Sequence, residues 1–167
     1  MTSAGRRSAK DRALGLLSHR ARSRTELSRR LVRAGYEEEE VSSALDDLEA
    51  VGLVDDDRFA RELAAHELRG KGSGRRLAII SLRRAGVDAQ LAERVVNEAA
   101  SGDEDTRAEE VAAARLARLR GLDEATVYKR LLSFLLRRGY EGAVARSAAR
   151  RATGTLSVEG DTHTPTA

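Results

Sequence analysis

The sequence predicts an all-α protein made of three tandem three-helix repeats. A motif centred on a glycine occurs three times, at Gly35, Gly86 and Gly139. Apolar residues on both sides of each glycine follow the three- and four-residue spacing of an amphipathic helix, and no segment alternates long enough to support a sheet. The chain's one proline, Pro165, lies among the final residues, so no earlier proline interrupts a helix.

The three copies of the motif share more than the glycine. Leucine stands four positions before each glycine, arginine two positions before it, and an apolar residue directly after it. Glycine accepts the left-handed conformation that closes a helix, and a basic residue in the last turn interacts favourably with the helix dipole. Each copy therefore predicts the end of one helix and the start of another. The copies are residues 31–36, 82–87 and 135–140.

The first repeat begins with a helix that we expect to end near Arg22. Ser23 and Glu26 have the spacing of a capping box and predict the start of the second helix. That helix ends at Gly35, and a third helix follows. The apolar residues of the first helix are Ala13, Leu14, Leu16 and Leu17, and those of the third are Val41, Ala44, Leu45 and Leu48.

The second and third repeats follow the same plan. The opening helix of the second ends at the glycine-rich turn 70–74, and that of the third ends at Gly121, where Asp123 caps the next helix. The opening helices carry Phe59, Ala60, Leu63, Ala64 and Leu68, and Val111, Ala114, Leu116 and Leu119. The closing helices carry Leu91, Val95, Val96 and Ala99, and Val144, Ala148 and Ala149. The pattern thus predicts nine helices in groups of three.

These helices define the predicted domain boundaries. The three repeats cover most of the chain, and polar segments flank and join them. The expected segments are a disordered basic N-terminus at 1–10, repeats at 11–56, 57–100 and 106–151, an acidic linker at 101–105, and a disordered C-terminal tail at 152–167.

Composition excludes several classes of protein. The chain has 167 residues, no cysteine and three scattered histidines, which excludes disulfides and cysteine-ligated metal sites. No apolar run approaches the roughly 18 residues that a membrane span needs, and the polar first residues lack the apolar stretch of a signal peptide. We therefore expect a monomeric cytoplasmic protein with no membrane contact, metal or cofactor.

Charge is unevenly distributed along the chain, whose formal net charge is +3. Residues 11–56 carry more acidic than basic side chains, whereas 57–99 and 105–151 carry more basic ones. Such a separation can orient a protein on a polyanion or on an acidic partner surface.

The sequence offers no cluster of residues typical of an active site. The segment Gly70 to Ser73 resembles a phosphate loop, but Ala65 stands where that motif needs a glycine, and a helical stretch precedes it instead of a strand. A flexible turn between helices explains it better. The carboxylates at 37–40 and 55–57 stand at expected helix starts, where negative charge suits the dipole.

Basic residues recur on the middle helix of each repeat. In the second and third repeats, two basic pairs stand eight residues apart, so they share roughly one helix face. Such a stripe can contact phosphates or carboxylates, and the alternative is a solvated helix face. The candidate partner-binding residues are Lys71, Arg75, Arg76, Arg83, Arg84, Lys129, Arg130, Arg137 and Arg138.

Three segments carry a resemblance to a known family. They are 48–60, at the junction of the first two repeats, then 74–77 with 82–87, and finally 129–140. In this order and at these separations, they make residues 11–151 resemble RecX, the regulator of the RecA recombinase.

The resemblance implies both a shape and a function. It implies an elongated, curved array that binds in the helical groove of the RecA–DNA filament and bridges neighbouring RecA protomers. Filament growth, ATP hydrolysis, strand exchange and co-protease activity of RecA would then be reduced, in the setting of recombinational DNA repair and the SOS response. The protein itself would have no catalytic activity, and its contact with DNA would be secondary.

A different function is the principal alternative. Residues 11–60 by themselves resemble a winged-helix transcription regulator, in which Gly52 to Val54 would start the wing. A helix of such a domain enters the major groove of DNA. This alternative requires a pair of strands after residue 54.

Overall fold

A computed structural model describes residues 7–102 and 104–160, and this part of the chain contains helices and turns but no strand. The all-α prediction is therefore confirmed, and the winged-helix alternative is wrong because α4 begins where the wing would be. The helices are α1 (Ala9–Leu17), α2 (Arg24–Arg33), α3 (Glu38–Ala50), α4 (Asp56–Ala65), α5 (Arg75–Arg84), α6 (Ala89–Ala100), α7 (Glu104–Leu116), α8 (Glu124–Arg137) and α9 (Gly142–Gly160). One π-helical turn, His66–Gly70, continues α4.

Packing divides the chain into two compact units. Unit one contains the residues up to 63 together with 81–95, and unit two contains 64–80 and the residues from 96 onward. Helices α4, α5 and α6 therefore contribute residues to both units.

Helices α1, α2 and α3 enclose the core of unit one. Leucines on the inner faces of α2 and α3 are at most 1% exposed, and burial of each such side chain contributes about 1.5–3 kcal/mol. Tyr36, which follows Gly35, donates its hydroxyl hydrogen to the Arg7 carbonyl oxygen at 2.7 Å. The buried leucines are Leu27, Leu31, Leu45 and Leu48. The helix spacing of the sequence therefore identifies most of this core, but Leu14, expected on the apolar face of α1, is 38% exposed.

The N-terminal boundary differs from the prediction in two ways. Helix α1 begins at Ala9, inside the segment predicted to be disordered, because Ser8 caps it and Ala9 is fully buried. It ends at Leu17 rather than near Arg22. The Arg22 side chain instead folds back and donates from Nε to the Leu16 carbonyl oxygen at 3.2 Å, so it closes the turn after α1. Residues 1–6 lie outside the described part.

Helices α7, α8 and α9 enclose the core of unit two. Apolar residues of α8 pack against alanines of α7 and α9, all of them buried. Alanine lets helix backbones approach closely, which explains how a core with few aromatic side chains still fills. The buried residues include Val127, Leu131 and Leu135 on α8, with Ala108, Ala112, Ala145 and Ala149 on its neighbours.

Three boundaries in unit two also differ from the prediction. Helix α7 ends at Leu116 rather than at Gly121, and turns cover the residues between them. Helix α7 starts at Glu104, within the predicted linker, and the Glu104 carboxylate accepts a hydrogen bond from the Arg75 backbone amide at 3.1 Å. Helix α9 continues to Gly160, into the predicted tail, where Thr153 donates to the Ala149 carbonyl oxygen at 3.1 Å. Residues 103 and 161–167 lie outside the described part.

In unit one, the start of α2 meets the end of α5. The Ser23 hydroxyl accepts from the Glu26 amide at 3.1 Å and donates to the Ala85 carbonyl oxygen at 2.6 Å. Ser23 is fully buried, and a Cβ at Gly86 would lie 2.7 Å from its Oγ. One hydroxyl group thus caps α2 and bonds to a part-buried carbonyl at the end of another helix.

In unit two, the start of α5 meets the end of α8 in an equivalent way. The Gly74 amide donates to the Arg138 carbonyl oxygen at 2.8 Å, and the Arg76 amide donates to that of Gly139 at 3.2 Å. Gly139 has a φ of 85°, and a Cβ there would lie 2.4 Å from the Leu77 backbone nitrogen. The second and third repeats therefore touch through backbone atoms.

Ser23→Ala is expected to lower the free energy of unfolding by about 2–3 kcal/mol, because it removes a cap and leaves the part-buried Ala85 carbonyl without its donor. Ser8→Ala removes a cap at an exposed helix start and is expected to cost about 1 kcal/mol or less. Urea unfolding of both variants measures the difference. Equal losses would contradict a role for Ser23 beyond capping.

Gly139→Ala and Gly121→Ala separate backbone strain from close packing. Both glycines have a φ of 85°, but a Cβ at Gly121 would meet no atom within 4 Å. Gly121→Ala is expected to cost about 1–2 kcal/mol, and Gly139→Ala about 3 kcal/mol or more because a backbone must also move. Urea midpoints compare them, and similar losses would show that the contact at Gly139 tolerates a methyl group.

Candidate functional site: a basic cleft on the third repeat

Helices α7 and α8 form an open cleft with a volume of about 400 Å³. Every side chain that lines it is cationic or carries a hydroxyl group. The lining residues are Arg115, Thr126, Lys129, Arg130, Ser133 and Arg137, and we call this site the basic cleft.

The N-terminal cap and the helical periodicity of α8 determine which of its side chains line the basic cleft. Asp123 caps the helix by accepting from the Thr126 amide at 2.9 Å. Hydrogen bonds from the Thr126 side chain and backbone hold the pKa of the Asp123 carboxyl below its usual range. The apolar face of α8 is buried. Arg130, Ser133 and Arg137 follow one another at spacings of three and four residues, so they share the opposite, exposed face.

Arg115 completes the basic cleft from α7. Its guanidinium carbon lies 5.2 Å from the centre of the Phe134 ring, and that of Arg138 lies at the same distance from the same ring. A cation over an aromatic face gains about 0.5–1 kcal/mol at a partly exposed site. The ring therefore helps hold Arg115 in place at the cleft.

The four cations of the basic cleft have no carboxylate within ion-pair distance among the residues that the structure describes. Other arginines in the described part of the chain do have such partners. Arg24 bonds to both Asp46 and Glu49, each at 2.7 Å, and Arg151 pairs with Glu109. The basic cleft thus keeps its positive charge available for an external anion.

Three of the predicted partner-binding residues are engaged inside unit two. Lys71 donates from Nζ to the buried carboxylate of Glu67 at 2.6 Å. Arg75 lies 3.5 Å from the Glu104 carboxylate, and the Arg138 guanidinium donates to the Lys71 carbonyl oxygen. These side chains stabilise the glycine-rich turn, so they have less capacity to contact a partner than the sequence indicates.

The remaining predicted residues divide between the two units. Lys129, Arg130 and Arg137 come together in the basic cleft, whereas Arg76 is exposed in the first turn of α5. Arg83 and Arg84 are exposed in the last turn of α5, which belongs to unit one. Arg115 is missing from the sequence prediction. It stands on the opening helix of its repeat, and its proximity to α8 depends on tertiary packing.

Two further observations limit the chemistry of the described residues. They contain no group of three or more His, Cys, Asp or Glu side chains arranged to hold a metal ion. No helix among them is both long and apolar enough to cross a membrane.

Family models match both ends of the repeat array. The model of the first three-helix domain of RecX matches residues 9–48, and the model of the third three-helix domain matches residues 103–149. The second match includes α7 and α8, which form the basic cleft.

Individual proteins and structures agree with the family models. A Regulatory protein RecX of Mycobacterium tuberculosis H37Ra is 37% identical over 160 residues, covering 90% of this chain and 92% of the relative. That of Amycolatopsis mediterranei is 36% identical over 137 residues, covering 82% and 78%. The crystal structure of RecX from Lactobacillus salivarius superposes with a TM-score of 0.76 at 17% identity, over 86% of this chain and 94% of that one, which shows the same fold. This chain belongs to the RecX family of regulatory proteins.

Proposed function

We propose that this protein binds RecA and the groove of the RecA–DNA filament, and that it limits filament growth. ATP hydrolysis, strand exchange and co-protease activity of RecA then fall because each depends on the filament. Membership of the RecX family over most of the chain supports the proposal. In this role the protein acts in the cytoplasm as a monomer without catalysis of its own, in DNA repair and the SOS response.

The arrangement of charge suits an anionic partner. Exposed cations that form no ion pair with a described carboxylate occur in both described units. They are Arg83 and Arg84 in unit one, and Lys129, Arg130 and Arg137 in the basic cleft of unit two. Fixed positive charges accelerate association with a polyanionic assembly, and added salt weakens the effect. A filament that contains DNA presents such a target.

Titration of the protein into a DNA-dependent ATP hydrolysis assay of RecA from the same organism is expected to reduce the rate. Inhibition well below one copy per RecA would indicate action at filament ends or on assembly. Inhibition only near equal amounts would indicate binding along the groove. An unchanged rate, with filaments confirmed on the DNA by electron microscopy, would overturn the proposal.

The double variant Arg83→Gln, Arg84→Gln tests the contribution of unit one. The concentration for half-maximal inhibition is expected to rise about tenfold, which corresponds to contacts worth about 0.7 kcal/mol per residue. The matched control is Lys10→Gln, Arg58→Gln, because both cations are also exposed in unit one but pair with Asp47 at 2.8 Å and with Glu62 at 3.0 Å. Circular dichroism checks that helix content is unchanged, and equal inhibition by the double variant would exclude this contact.

A further inference from the structure

We infer that the basic cleft is a binding site for the phosphodiester backbone of DNA, and that it holds the backbone without reading the bases. The inference rests on the proposed function, since the DNA concerned is that of the RecA filament. It goes further by assigning one chemical class of ligand to one site in the third repeat.

The basic cleft is strongly positive. Its four cations line one open space of about 400 Å³, and none of them forms an ion pair with a described carboxylate. The positive charge of Lys129 contributes to the lowered pKa of the nearby Asp123 carboxyl, so one carboxylate offsets part of the charge. Like charges held close together repel one another, and an anion that carries several charges relieves this repulsion. Consecutive phosphates of a nucleic acid supply such charges, and the released counterions add to the affinity.

The other side chains that line the basic cleft carry hydroxyl groups. Thr126 and Ser133 add two hydroxyl groups to the cations, and no large apolar side chain lines the basic cleft. Hydroxyl, guanidinium and ammonium groups are the usual side-chain donors to phosphate oxygens. An interface with a protein would have an apolar centre surrounded by a polar rim, whereas interfaces with DNA are polar and strongly positive. The head groups that line the basic cleft therefore fit phosphate oxygens.

The aromatic ring beside the basic cleft is covered by arginine side chains. The ring of Phe134 lies beneath the guanidinium groups of Arg115 and Arg138, each at 5.2 Å from its centre. Recognition of single strands through stacking needs an exposed aromatic face. The two arginines lie over the Phe134 ring, where a stacked base would have to lie. Binding at the basic cleft should accordingly depend on charge and hardly at all on sequence.

Fluorescence anisotropy of the full chain with labelled single-stranded DNA, in the absence of RecA, tests the inference. The test variant is Lys129→Gln, Arg130→Gln, Arg137→Gln, whose side chains are all exposed. The control variant is Lys10→Gln, Arg58→Gln, Arg151→Gln, which loses the same charge from exposed side chains that have carboxylate partners. Circular dichroism verifies that both variants are folded.

The test variant is expected to raise the dissociation constant at 0.1 M salt about tenfold or more, and to reduce the slope of log K against log salt by about two units. The control variant should change both quantities much less. Oligo-dT and a mixed sequence of equal length should bind within about threefold of each other.

Three results would overturn the inference. They are equal salt slopes for the two variants, absence of DNA binding by the unsubstituted chain, and displacement of the DNA by polyglutamate as effectively as by unlabelled DNA of equal charge. If one of these results is obtained and the unsubstituted chain still inhibits RecA, the inference is wrong but the proposed function is retained. Conversely, DNA binding at the basic cleft without an effect on RecA would overturn the proposed function alone.

Discussion

The architecture depends on close contact between the start of one middle helix and the glycine turn that ends another. In unit two this contact joins backbone to backbone, with the Gly74 amide 2.8 Å from the Arg138 carbonyl oxygen. In unit one a buried serine hydroxyl, that of Ser23, makes the corresponding bond to Ala85. Each contact pairs the donors that a helix start leaves free with the carbonyls that a helix end leaves free. The same polar groups that terminate the helices thus join successive repeats.

Local chemistry made much of the fold predictable. A glycine with positive φ closes α2, α5 and α8, and such closure depends on the residue itself. The signal misplaces one helix end, because Gly121 has a positive φ although α7 already ends at Leu116. Helix boundaries set by contacts between distant residues also differ from the prediction. Helix α1 stops at Leu17 because Arg22 bonds to a backbone carbonyl, and α7 starts at Glu104 because Arg75 supplies a donor. Those hydrogen bonds form only after folding has brought the two residues together, so the local sequence pattern does not indicate them.

The candidate site was only half predictable for the same reason. Lys129, Arg130 and Arg137 lie on one helix, and helical periodicity brings them to one surface. Arg115 joins them through the packing of α7, and no local spacing indicates that. Adjacent basic residues also turned out to be unequal, because Arg138 points to the glycine-rich turn while Arg137 lines the basic cleft. A sequence pattern reports which residues carry charge, whereas the structure determines which charges remain available.

The division into two units has a consequence for synthesis on the ribosome. Unit one needs residues 81–95, so it cannot be completed when the first repeat has emerged. The segment 64–80 emerges next and belongs with residues from 96 onward, which leaves it without partners until α7 and α8 have been translated. Residues 64–80 of the middle repeat therefore lack their native partners until later residues have been translated. During that interval their apolar side chains are exposed and can be bound by chaperones. The core of the first repeat needs only residues up to 54, so the middle repeat is the part of the chain that depends on residues translated later.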